Sequence, residues 1–369
     1  MTDPAALVAG SASLPSATLA TASLGAPAGL AQLAPAQATP SWLASGPLFG
    51  LPLPALWFAL LFAILATFLF LDGFDFGAGI LFATRETDEE RETILAAIGP
   101  FWDGNEVWLV VFGGALFAAF PPVYADLFSR HYLLMFGILG ALILRGLAPE
   151  MYEQRHDEAW QRWWGRSFVA GSLLAPFLLG AFVGNWVAGS PGSLTLAGAV
   201  VGATVVALAV VSGVAFLRVK TRGTLREGLR RYGEAAVVAY LVGVLASLGA
   251  LALASAAVAA AVATPPVLAL VVLSVLLAAG YVVALRRGRD HLALAAGAGL
   301  TYGLVAVVAL LLFPTIDPAS GLAVDEAIVS TLPLNLMSIG AALLLPLVAT
   351  YFVVLYSAFS GPARPSEAY

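Results

Sequence analysis

An all-α, polytopic membrane fold is what this sequence predicts, with about nine transmembrane helices. Three observations carry that expectation. The chain is 60% hydrophobic and only 11% charged over 369 residues, and its mean hydropathy is +0.93, outside the range of ordinary soluble domains. Its apolar runs are each about 20 residues long, enough to cross the hydrocarbon core. The breaks between them carry turn residues, as at Pro121-Pro122, Ser190-Pro191-Gly192 and Pro265-Pro266.

Taken in order, the runs fall at residues 55–83, 94–120, 131–149, 166–188, 194–217, 232–257, 266–285, 291–313 and 332–359. Residues 1–50 are rich in Ala, Ser, Pro, Leu and Gly and contain no Lys or Arg, with Asp3 where a secretory signal would place positive charge. They read as a disordered tail ahead of a membrane domain over 51–369, the rival being a poorly formed signal-like segment. Fifteen of the 17 basic residues fall in alternate loops: after spans one (Arg85, Arg91), three (Arg155, Arg162, Arg166), five (218–231), seven (286–289) and nine (Arg364). Arg130 lies on the other side and Arg145 within span three. Short cytoplasmic loops collect Lys and Arg, so the pattern predicts an outer N-terminus, a cytoplasmic C-terminus and an odd number of spans.

Composition also excludes. The chain has no cysteine, so disulfides, thiolate metal sites, iron–sulfur clusters and cysteine nucleophiles are absent from it. A net charge of −5 gives no footing for a nucleic-acid partner. For axial haem ligands the chain offers His131, His156 and His291, all at span ends or in loops, and, toward the outer side, Met135 and Met337. Interfacial roles suit those histidines better, and no metal site is expected. Trp42, Trp57, Trp160, Trp163, Trp164 and Trp186 lie near span ends and read as interface anchors. The basic stretch 218–231 reads either as a contact for anionic lipid headgroups or as a topology determinant alone.

Chemistry concentrates in the first three spans. Asp72 and Asp75, in "LDGFDFGAGILF", are three residues apart and share one helix face. Gly73, Gly77 and Gly79 give that helix a surface another backbone can approach. The second span repeats the spacing in "GPFWDGNEVWLV" with Asp103 and Glu106, next to Trp102, Asn105 and Trp108, and Pro100 should kink it just before the acids. Span three adds Arg145 and, at its inner end, Glu150. At about 1.5 Å rise per residue, Asp75 and Asp103 both lie roughly 13 Å from the cytoplasmic end, with Arg145 shallower. Ionisable groups in a bilayer are costly and mark proton or ion paths more often than not. The bland reading is a set of paired charges that fixes helix register.

These residues resemble a family, subunit II of cytochrome bd-type quinol oxidases. The resemblance rests on "DGFDFGAGIL" (72–81), "GPFWDGNEVWLVVFGGALFAAFPPVYA" (99–125), "LILRG" (142–146) and "STLPLNLM" (330–337), and covers residues 55–360. It implies two four-helix bundles plus a peripheral helix, and a haem-free chain that partners a haem-bearing subunit I in quinol oxidation and O2 reduction to water. Haem b and haem d, or b-type variants, would belong to that partner, with no cofactor in this chain, and the isolated chain would be inactive. The resemblance further implies that Asp103 and Trp102 belong to a motif associated with proton supply. Asp75 and Arg145 match other charged positions of the family, and Trp108 lies near an oxygen route. One departure stands out. The family usually has an acidic residue and then, two positions on, an arginine after the span-three arginine; here Glu150 is followed by Tyr152, with Arg155 a turn later.

The functional expectation is therefore a subunit of a prokaryotic plasma-membrane oxidase that helps supply cytoplasmic protons through Asp103, Asp75, Asp72, Glu106, Arg145 and Glu150. A proton-coupled secondary transporter is the alternative, marked by helices broken at positions such as Pro176 and Pro346. A purely scaffolding subunit is a third reading. A small single-span subunit, and a structural quinone or lipid in this chain, are left open at this stage.

Overall fold

The computed structural model describes residues 41–44 and 46–363, so residues 1–40 and Ser45 of the tail expected over residues 1–50, and Arg364, lie outside it. A short helix α1 (Ser41–Ala44) and a 3-10 turn at Leu48–Gly50 lead into α2 (Leu53–Phe82), followed by α3 (Asp88–Ile98), α4 (Trp102–Ala119), α5 (Pro121–Arg130) and α6 (Tyr132–Glu153). The long helices continue with α7 (Glu158–Ala188), α8 (Leu196–Lys220) and α9 (Gly223–Ala254), then α10 (Ala256–Val262), α11 (Pro265–Arg286) and α12 (Asp290–Leu312). An antiparallel hairpin of β1 (Thr315–Asp317) and β2 (Leu322–Ala323), the short α13 (Val324–Ala327) and α14 (Thr331–Ala358) complete the chain.

Among the described residues, eight helices are long and apolar enough to cross a membrane: α2, α6, α7, α8, α9, α11, α12 and α14. The span expected at 94–120 is instead two elements. Thr87 caps α3 by accepting a hydrogen bond from the Glu90 N–H at 3.3 Å, and Asp88, Glu89 and Glu90 fill its first turn, where negative charge suits the helix dipole. α3 stops at Ile98 because Pro100 has no N–H to continue the ladder. α4 then restarts at Trp102 with 18 residues, about 27 Å of helix, and its opening "WDGNE" puts two acids and an amide into its first turn and a half, which keeps it out of the eight. By contrast Pro176 and Pro346 sit inside continuous helices, α7 and α14, so the breaks expected of a transporter are absent at both.

α2, α4, α6 and α7 pack with one another, as do α8, α9, α11 and α12, and α2 and α7 join the two sets by packing on α8. The closest crossing is α2 on α8. A Cβ on Gly77 would lie 2.0 Å from the Ala209 carbonyl oxygen, and one on Gly213 would lie 2.5 Å from the Gly77 carbonyl carbon. Gly79 meets Ser172 of α7 instead, while Gly73 faces open space, so the helix contact uses Gly77 and Gly79 rather than the Gly73–Gly77 step. Without a hydrophobic drive between helices in lipid, such backbone approach and buried polar contacts supply the association. The Tyr281 hydroxyl donates to the Val211 carbonyl at 2.8 Å, the Tyr240 hydroxyl to that of Leu300 at 3.2 Å, and Thr204 and Ser247 share a bond of 2.9 Å.

α14 lies outside both sets, with none of its most apolar 18-residue window buried. Its two ends are pinned. Asn335 donates to the carbonyls of Leu43 and Gly46 at 2.8 and 2.9 Å and accepts from the Leu48 N–H at 3.0 Å, and the Trp57 indole donates to Ser338 at 2.9 Å. At the far end the Lys220 ammonium donates to the Phe359 carbonyl and, at 2.8 Å, to that of Gly361. Residues 46–50, assigned to the tail from composition, are therefore held by Asn335.

The hairpin was not legible in the sequence. Arg130 grips Asp317 through two bonds of 3.0 Å, Ser320 donates to the same carboxyl at 2.6 Å, and the Trp186 indole donates to the Ile316 carbonyl at 2.8 Å. Trp186 and Trp57 are thus buried polar anchors rather than interface residues, while Trp163 is exposed as expected; the Trp42 side chain lies outside the description. Burial opposes ionisation of Asp317, yet the bonds from Arg130 and Ser320 hold its carboxyl below the ordinary value. His131 is buried beside this pair with both ring nitrogens unpartnered among the described residues. Burial and then the Arg130 charge push its imidazole below the usual 6.5.

Two measurements check this account. Gly213→Val should lower the thermal stability of the detergent-solubilised protein by about 1–3 kcal/mol through overpacking, whereas Gly73→Ala, with open space around it, should leave it unchanged or slightly raised. Between about pH 7 and 5 the wild type should lose stability relative to a His131→Phe variant, because the unfolded chain takes up a proton at His131 that the native fold resists. A melting-temperature difference between the two that does not change with pH would refute the assignment.

Candidate functional site

Arg145 of α6 is the centre of the site. Its guanidinium is 1% exposed and pairs with Asp72, with Glu106 of α4 at 3.2 Å and with Asp75 at 3.7 Å. Asp72 and Asp75 are one turn apart on α2 and both fully buried, whereas the Glu106 side chain keeps 28% of its surface. The Phe76 and Trp102 rings flank the guanidinium at 5.0 and 5.6 Å from their centroids, close enough for cation–π attraction. α7 closes the remaining side through Gly171, where a Cβ would come within 2.6 Å of the Arg145 backbone nitrogen. Three carboxyl groups thus share one guanidinium, and Asp72 Oδ2 and Asp75 Oδ1 have no hydrogen-bond partner among the described residues.

A polar chain leads out of the cluster. The Tyr356 hydroxyl donates to Asn105 Oδ1 at 2.9 Å, and Asn105 Nδ2 donates to Asp75 Oδ2 at 2.8 Å. Asn105 is fully buried, on α4 between the two acids of its motif, and Tyr356 comes from α14, 251 residues away. An amide orients a carboxylate well, being donor at one end and acceptor at the other. Sequence reasoning placed Asn105 only near the site and missed Tyr356, for which no local pattern gives a signal.

The structure divides the expected site residues. Asp72, Asp75, Glu106 and Arg145 come together, so Arg145 reaches the same level as the acids rather than a shallower one. Asp103, expected in the cluster, is exposed on the first turn of α4, because the two-residue step to Asn105 turns about 200° around the helix and it is Asn105 that faces inward. Glu150 is also exposed, near the C-terminal end of α6. Trp102 packs over Arg145, and Trp108 lies 5.7 Å from the Phe352 ring with its indole N–H unpartnered among the described residues. Arg155 does not reach back to the cluster; it pairs with Asp157 at 2.9 Å and sits over Trp160. Tyr152, at the departure position, is buried edge-on against Phe82.

Two further charges that read as part of a basic loop are structural. Only Thr221 and Arg222 separate α8 from α9, so most of 218–231 is helical. Arg218 is buried and donates to Asp290 Oδ1 at 2.8 Å, and Arg226 pairs with the other oxygen at 2.6 Å. As to haem ligands, His131 and Met135 stand four residues apart on one helix flank, not opposed across a space.

Residues 53–359 match the family model for cytochrome bd terminal oxidase subunit II. The chain belongs to that family. It is 32% identical over 322 residues to the cytochrome bd ubiquinol oxidase subunit 2 of Bacillus subtilis, covering 79% of this chain and 91% of that one. The cytochrome bd-I ubiquinol oxidase subunit 2 of Escherichia coli is 32% identical over 206 residues, 51% of this chain and 54% of its own. In three dimensions the fold is similar to the bd oxidase from Geobacillus thermodenitrificans, with a TM-score of 0.67 at 17% identity, over 83% of this chain and 98% of that one. The family is that of an oxidoreductase complex, and its fold is the all-α polytopic one expected from the sequence.

Arg145→Met should leave buried carboxyls without their cation and destabilise the protein by about 3–5 kcal/mol. Arg145→Lys should recover part of the loss, since an ammonium lacks the planar fork that spans three partners. Thermal melts of the solubilised protein report both, and equal stability of Arg145→Met and wild type would overturn the account.

Proposed function

We propose that this chain is the haem-free subunit of a quinol-oxidising, O2-reducing membrane complex, and that its acids deliver protons from the cytoplasmic side to the haem-bearing partner. The partner's haems supply O2 binding and reduction; this chain handles protons. The single observation that carries the reading is the graded exposure of the carboxyl groups, with Asp103 exposed, Glu106 part-exposed one turn deeper, and Asp72 and Asp75 fully buried around Arg145.

Fully ionised, three carboxylates and one guanidinium carry a net charge of −2, which a low-dielectric interior penalises, so the cluster has room for a transferred proton. Asp103 collects a proton at the flank, Glu106 receives it, and Asp72 or Asp75 holds it. Asn105 and Tyr356 orient Asp75 rather than relay, because an amide gives up a proton only at high cost. The distribution of Lys and Arg supports an outer N-terminus and a cytoplasmic C-terminus. With quinol oxidised on the outer side, such an arrangement makes a proton gradient without pumping, in the plasma membrane of a prokaryote. Trp102 and Trp108 act here as packing around the cluster, and alone the chain is inactive.

In the assembled complex, Asp103→Asn and Glu106→Gln should each lower quinol oxidase turnover at least about tenfold, the low end of what a positioned proton carrier contributes. Haem absorbance, measured on the same sample, should stay at the wild-type level. Wild-type turnover in both variants would sink the proton reading, and loss of haem with activity would assign the residues to assembly.

A further inference from the structure

Two cavities meet at the end of the molecule where α8 finishes and α9 and α12 begin. The first, of about 610 Å3, is lined by Arg218, Arg222, Arg226 and Arg289 against two carboxylates, Glu227 and Asp290. Asp290 is already engaged by Arg218 and Arg226. Arg222 and Arg289 are exposed, and Arg222 is steadied by donating to the carbonyls of Val219 and Thr221 at 2.9 and 2.8 Å. These two arginines are also the cap residues of α9 and α12, where neither side chain accepts a hydrogen bond from the helix. Positive charge therefore exceeds negative in a recess to which two helix starts add their partial positive charge.

The second cavity, also about 610 Å3, lies between α2, α8, α12 and α14 and is walled by Phe70, Phe74, Phe216, Leu294 and Phe352. Val219 and His291 line both cavities, so the basic recess opens directly onto the apolar one. A cationic mouth over a greasy groove, at the end of a set of membrane-spanning helices, has the layout of one amphiphile with an acidic head.

We propose that this composite site binds one anionic phospholipid, its phosphate held by Arg222 and Arg289 and one acyl chain running along the groove under α14. A free phosphate would have no use for the groove, and a zwitterionic lipid would bring with its phosphate a headgroup cation that the two surplus arginines repel. The inference rests on membrane embedding and not on the proton pathway. Arg222, Arg289 and the groove residue Ala349 lie outside the acid cluster, so turnover of the Asp103 variant and lipid retention test separate statements.

The experiment uses the whole complex, delipidated in a neutral detergent and titrated with phosphatidylglycerol or phosphatidylcholine, with bound lipid counted by native mass spectrometry. Wild type should retain phosphatidylglycerol roughly tenfold better than phosphatidylcholine, as two basic contacts to an anionic headgroup allow. The double variant Arg222→Gln/Arg289→Gln should lose that preference. Ala349→Trp should weaken retention of the long-chain lipid while leaving that of dihexanoyl phosphatidylglycerol, and inorganic phosphate at millimolar concentration should not compete. Equal retention of the two lipids, or a preference that survives the double variant, would overturn the proposal. So would competition by inorganic phosphate, which would mark a site for the free anion. All three substitutions are at exposed positions, and an unchanged melting temperature would show that the fold is retained.

Discussion

The guanidinium of Arg145 is the fixed point around which the first half of the molecule is arranged. Unpaired, it would be expensive in a bilayer, and so would each of the carboxyls that surround it. Paired, the charges have to stay together, and the helices that bear them must hold one register. α2 brings Asp72 and Asp75, α4 brings Glu106 and α6 brings the arginine itself. α7 closes the space with Gly171 because any larger residue would press on the Arg145 backbone. Ion pairs of this kind are weak evidence for stability as such but strong determinants of which partner goes where.

The two ends of the molecule solve a different problem. Each must finish a set of helices at the water interface, and each uses an arginine–aspartate grip to do so. At one end Asp290 receives Arg218 and Arg226, tying the α8–α9 turn to the start of α12. At the other Arg130 holds Asp317, tying α5 to the hairpin that follows α12. α14 is attached by side-chain bonds at both ends while its middle stays apolar and uncovered. The Tyr356–Asn105–Asp75 chain is the one polar link from this outer helix to the buried acids among the described residues.

Much of this was legible from residue patterns. The apolar runs located six of the long helices to within four residues, since length and hydropathy are averages over a whole span, whereas α7 and α9 begin eight and nine residues earlier in polar sequence that carries no apolar signal. The i, i+3 aspartates and the arginine of span three were found because a charge in hydrocarbon stands out against its neighbours. Orientation within a helix was harder. Asp103 and Asn105 differ by about 200° around α4, and which of them faces inward depends on where the helix restarts after Pro100. Long-range partners such as Tyr356, and the buried roles of Trp57 and Trp186, leave no local trace, because the contact is made by residues more than 100 positions away. Arg218 looked like any member of a basic run until Asp290 was brought beside it.

Asp72 and Arg145 are 73 residues apart in the chain. A ribosome releases α2, with its two acids, well before it has made the cation that balances them, and α4 adds another carboxyl in the interval. Neither helix is then a comfortable lodger in lipid on its own. Only when α6 is made does the chain hold the cation that all three carboxyls share. The charges of this half of the protein are therefore matched only over the whole segment from Leu53 to Glu153, and not within any single helix.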